Sequence, residues 1–80
     1  MRKMNRIKKF NKAYPNGAIQ VVRVITDEPT YEIAKATVIP DVDKPERSFT
    51  SYAKEVNDKS GAFEIAQSRA IDLALFLLLQ

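Results

Sequence analysis

Leu73-Ala-Leu-Phe-Leu-Leu-Leu79, seven apolar residues in succession after Asp72, constrains this chain of 80 residues more than any other stretch. A surface helix keeps a polar face, so a helix that is apolar all round needs cover on more than one side. Domains of this size bury only about 60% of their unfolded surface, and a chain without cysteine has no disulfide to make up the difference. The extra burial must come from another element or another subunit. A bilayer span takes about 20 apolar residues. Arg69 and Asp72 interrupt the run well short of that, so no membrane is expected as a partner.

The absence of both histidine and cysteine removes imidazole acid–base catalysis, thiolate chemistry and most zinc sites together. The serines therefore have no imidazole base, and no glycine-rich phosphate cradle is present, the two glycines Gly17 and Gly61 being explained by a turn and a cap. The expectation is a non-enzyme with no catalytic residues, no cofactor and no bound metal. A reducing, cytoplasmic setting fits the lack of cysteine. The basic start is followed by no apolar h-region, so export is not expected.

Charge is distributed unevenly. Seven of the 13 basic residues (Arg2, Lys3, Arg6, Lys8, Lys9, Lys12 and Arg23) lie in the first 26 positions, which hold no Asp or Glu; the remainder has six basic against ten acidic residues. Such a block is either a solvated arm or a polyanion contact. Residues 1–13 are accordingly expected as a basic N-terminal arm, and residues 14–80 as one domain.

Along that domain, Tyr14-Pro-Asn-Gly17 reads as a turn. Residues 18–26 (AIQVVRVIT) and 31–39 (YEIAKATVI) read as an antiparallel hairpin broken at Pro29, and residues 47–56 (RSFTSYAKEV) as a third strand. Asp58 or Ser60 would cap a long helix, with Glu64 in its first turn, and Phe63, Ala66, Ala70, Leu73, Ala74 and Leu77 on its apolar face. The expected fold is α+β: a three-stranded antiparallel sheet followed by one long C-terminal helix packed on one sheet face.

Two candidate contacts remain. In the arm, lysines alternate with Phe10 and Tyr14, a pattern suited to phosphates and stacked bases, although both rings would also serve to pack the arm onto the sheet. In the sheet, placing Val22, Val24, Ala34, Ala36, Val38, Phe49 and Ala53 beneath the helix sends Arg23, Lys35, Tyr52 and Lys54 to the opposite face with Thr37 and Thr50. That face could equally be solvated or covered by another subunit. Asp41, Asp43 and Glu46 share one loop, but Pro40 and Pro45 restrict it and no glycine stands where a cation-binding loop needs its sharp turn. Leu75, Phe76, Leu78 and Leu79 are expected to seal a homo-oligomer.

The strand hairpin, the PDVDKPE connection, the strand RSFTSYAKEV and then SGAFEIAQSRAIDLAL resemble the single-strand annealing recombination proteins of phages and eukaryotes. The likeness spans roughly residues 14–77 and is carried by Phe63, Glu64, Ala66, Ala70, Ala74 and Leu75. It implies a β-β-β-α core, single-stranded DNA binding through basic residues, and assembly into rings or filaments. Family members are longer, and Phe76-Leu-Leu-Leu79 stands where their helix turns polar and basic. Residues and resemblance together lead to the expectation of a single-stranded DNA- or RNA-binding homo-oligomer of a phage-like recombination or replication module. The alternative is an inhibitor or assembly factor whose apolar helix docks on a host or defence protein.

Overall fold

The computed structural model describes residues 2–27, 30–58 and 60–79. In chain order the elements are α1 (Arg2–Ala13), β1 (Ala18–Arg23), β2 (Tyr31–Ile39), β3 (Phe49–Val56) and α2 (Ala62–Leu79). The strands form an antiparallel meander in the order β1-β2-β3, and α2 lies across β2 and β3. The expected α+β arrangement of three strands and a C-terminal helix is thus present, with one helix more than expected.

Alternation in β2 sets the layers. Ala34, Ala36 and Val38 point to one face and are fully buried, while Ile33, Lys35 and Thr37 point to the other. Against the buried row lie Ala66, Ala70 and Ala74 of α2, also fully buried. Alanine on both sides lets helix and sheet backbones approach closely, so close that the Ser51 hydroxyl of β3 donates to the carbonyl of Ala70. The strand ends differ modestly from the sequence reading. β1 stops at Arg23, beyond which the Val24 N–H still donates to Ile33 C=O (2.9 Å), and β3 starts at Phe49.

The segment expected as a basic arm is the helix α1. Ile7, Phe10 and Tyr14 recur at helical spacing and turn to the core, Phe10 being 1% exposed and its ring centroid 5.5 Å from that of Tyr14. Pro15 disfavours helical geometry at the residue before it, and the chain leaves the helix there after the Tyr14 N–H closes a final turn on Phe10 C=O (2.8 Å). α1 packs on α2, where the Arg6 guanidinium reaches Asp72 (2.7 Å) and sits over the Phe76 ring (5.4 Å).

α1 thereby answers the question the apolar run poses. In α2 burial follows Ala62, Ala66, Ala70 and Ala74, then passes to Leu75 and Leu78 where α1 packs. Leu75 and Leu78, expected at an oligomer interface, are core residues of the single chain, and Leu79 is partly buried against that core. Leu73 and Leu77, expected on the apolar face that packs on the sheet, are half-exposed instead, and Phe76 is half-exposed too. The helix is capped at Gly61 rather than Ser60 or Asp58: its carbonyl accepts the Ile65 N–H (3.0 Å), and its φ of 87° is a conformation glycine adopts without strain.

Gly17 is required for a different reason. A Cβ there would lie 2.5 Å from Cζ of the buried Phe10 and 3.0 Å from the carbonyl oxygens of Ile39 and Tyr14. Gly17→Ala is expected to destabilise the fold by about 1–3 kcal/mol through overpacking. Urea titration measures this, and an unchanged midpoint would refute the close approach.

Candidate nucleic-acid interface

Both helices contribute to the cluster on one side of the sheet, which leaves the other side to solvent. The pairing register decides what that open face displays. Lys35 stands opposite Tyr52, Ile33 opposite Lys54, Thr37 opposite Thr50, and Val22 of β1 opposite Lys35 from the other side. Lys35 Nζ lies 6.0 Å from the Tyr52 ring centroid, and Lys54 Nζ lies 4.0 Å over Tyr31, two residues along the same face. The Thr37 and Thr50 hydroxyls meet at 3.3 Å. Tyr52 is 57% exposed.

Among the described residues of the three strands, no carboxylate belongs to this face. Glu32 and Glu55, paired with each other in the register, have the opposite parity and point to the helix side. There Arg23 Nε donates to Glu32 (3.1 Å), and Arg69 of α2 pairs with Glu55. Alternation has sorted the charges of the two strands: ammonium groups with tyrosines on one side, carboxylates with guanidinium partners on the other.

Lys35, Tyr52 and Lys54 are therefore brought together as expected, while Arg23 is not. It pairs with Ala34, putting it on the helix side with its guanidinium 4.2 Å over the Phe63 ring. The β1 residues packed against the core are Ile19 and Val21, not Val22 and Val24. Phe10 is likewise unavailable for stacking on a base, because its ring is enclosed. Tyr31 was missed by the sequence reading, although its parity with Lys35 along β2 was the signal for it.

On α1, Arg6 is held by Asp72, and Arg2 and Lys3 lie in the first turn. Lys8, Lys9 and Lys12 are exposed on the side away from Ile7 and Phe10, forming a second basic surface on the helix layer. The acidic loop has a structural role. Asn16 Nδ2 donates to Asp41 (2.7 Å) and Asp43 (3.1 Å), tying the turn before β1 to the connection after β2. Asp41 Oδ1 also accepts the Asp43 N–H (3.0 Å), while Glu46 is exposed. No group of three or more such donors converges to hold a metal among the described residues. A cleft of about 340 Å³ opens beside this clasp, with Tyr14, Lys44 and Arg47 in its wall.

No family model, curated protein or solved structure matches the chain. Among the described residues, no helix is long and apolar enough to cross a membrane.

Proposed function

We propose that the protein is a non-enzymatic binder of single-stranded nucleic acid that holds its ligand on the open face of the sheet. The observation that carries this reading is the sheet face, without a carboxylate among the described strand residues, on which two ammonium–tyrosine pairs, Lys35 with Tyr52 and Lys54 with Tyr31, lie side by side across β2 and β3. Tyrosine faces offer unpaired bases a stacking surface that is indifferent to sequence, and ammonium groups neutralise the phosphates between them. The threonine pair adds hydroxyls for sugar or phosphate oxygens. A flat sheet face suits splayed single strands better than a duplex, whose bases are already stacked. The reading accords with the resemblance to single-strand annealing proteins. The exposed lysines of α1 lie on the other layer and would meet a different segment of the same strand.

The test is fluorescence anisotropy of a labelled oligothymidylate across a salt series. Single-strand affinity falls with salt at a slope of about −0.7 per neutralised phosphate. Changing Lys35→Gln and Lys54→Gln together should therefore flatten the slope by about 1.4 while the circular dichroism spectrum stays that of the wild type. An unchanged slope removes these lysines from the interface. A wild-type protein that fails to bind at low salt removes the function.

A further inference from the structure

We infer that the outer edge of β3 and the α2 side chains above it form one interface, and that its occupant is a second copy of this chain, paired antiparallel so that two three-stranded sheets become one of six. β3 is an edge strand of eight residues with no proline. Its ladder to β2 includes the bond from Asn57 N–H to Thr30 C=O. By antiparallel alternation, residues 49, 51, 53 and 55 then also turn their backbone groups inward to β2, and Thr50, Tyr52, Lys54 and Val56 turn theirs outward. All four outward residues are exposed. They form a row of unpaired donors and acceptors, the template on which another strand adds.

The helix layer above this edge is unfinished on the same side. Arg69 reaches down to Glu55 of β3, which fixes that flank of α2 as the β3 side. Ile65, Leu73 and Leu77 share the flank at helical spacing from Arg69, and all three are partly exposed. With Phe76 they present on the order of a few hundred Å² of apolar surface, within the range a monomer tolerates. That is less than the roughly 800 Å² per partner of a stable interface. Packing of helices alone is therefore too small, and the strand edge below supplies the remainder.

Spacing brings the two contacts into step. α2 lies across both β2 and β3, and the two-fold axis of an added strand lies about 2.4 Å outside β3, so both α2 helices would stand on the same layer, one on each side of that axis. Antiparallel pairing brings Leu73 and Leu77 of one copy toward Ile65 of the other. With Ala53 on the axis, every outward residue of β3 finds a partner, and Tyr52 faces Lys54 of the second copy, repeating the lysine–tyrosine pairing already made with Lys35. No two cations oppose each other along the paired edges, and Arg69, near the axis, already has Glu55 as its counter-charge.

The pairing is independent of what the open face binds, so it is tested without nucleic acid. Light scattering should give the mass of two chains rather than the 9.1 kDa of one. Hydrogen exchange at the Thr50, Tyr52, Lys54 and Val56 amides should slow as protein concentration rises. Val56→Pro removes an outward N–H without touching the ladder to β2, and Leu73→Glu charges the helix flank; each is expected to give a folded monomer. A wild type of single-chain mass overturns the inference. So does rapid, concentration-independent exchange at the four amides of a dimeric wild type, which would locate the contact elsewhere. The exchange measurement decides the matter even if a variant fails to fold.

Discussion

Replacing Phe10 with alanine is expected to cost about 3–5 kcal/mol, the usual range for removing a buried aromatic side chain. The ring is 1% exposed, lies against Tyr14 and contributes to the cluster between helices and sheet. At about 0.05–0.15 kcal/mol per residue, a domain of this size has few such increments to lose. At 4–8 °C per kcal/mol, the thermal midpoint should fall by at least about 12 °C. The measurement separates two roles for one residue. An aromatic that only stacked on bases would leave the melting curve in place and weaken oligonucleotide binding. A midpoint within a degree or two of wild type would therefore return Phe10 to the surface.

The largest effect on binding is expected from the tyrosines. Base stacking on an aromatic contributes about 1–3 kcal/mol per base. Tyr31→Ala with Tyr52→Ala should then weaken single-strand affinity by about 2–6 kcal/mol, or from roughly thirty-fold to more than ten-thousand-fold. Tyr31→Phe with Tyr52→Phe keeps both ring faces and should bind nearly as the wild type does. Equal losses in the two double variants would mean that the hydroxyls, not the rings, are recognised. No loss in the alanine pair would mean that the bases lie elsewhere. Tyr31 is half-buried, so the alanine pair must first be shown to keep its circular dichroism spectrum.

Where the sequence spoke through a single period, it was readable. Tyr31–Ile39 was bounded to the residue, because the small row Ala34, Ala36 and Val38 alternates with the larger or polar Ile33, Lys35 and Thr37, and the faces of β2 and β3 followed from it. β1 was harder. Val21, Val22, Val24 and Ile25 are apolar on both parities, and only the register to β2 shows that Val21 and not Val22 meets the core. That choice carried Arg23 to the wrong face. In α2 the run after Asp72 is apolar in every direction, so no period could distinguish Leu75 and Leu78 from Leu73 and Leu77; the position of α1 decides between them. α1 itself was obscured by its charge. Ile7, Phe10 and Tyr14 at helical spacing marked a buried side, and Asp72, alone among apolar neighbours, needed the cation that Arg6 provides.

The sorting of charge by parity also guards the fold against a near miss. A one-residue slip of β3 along β2 would turn Lys54 under α2 among the alanines and expose Ala53 in its place. A two-residue slip that kept every side chain on its proper face would, in one direction, set Lys54 directly across from Lys35, where like charges repel. The same two lysines that make the open face cationic thus penalise misaligned pairings of the strands that carry them.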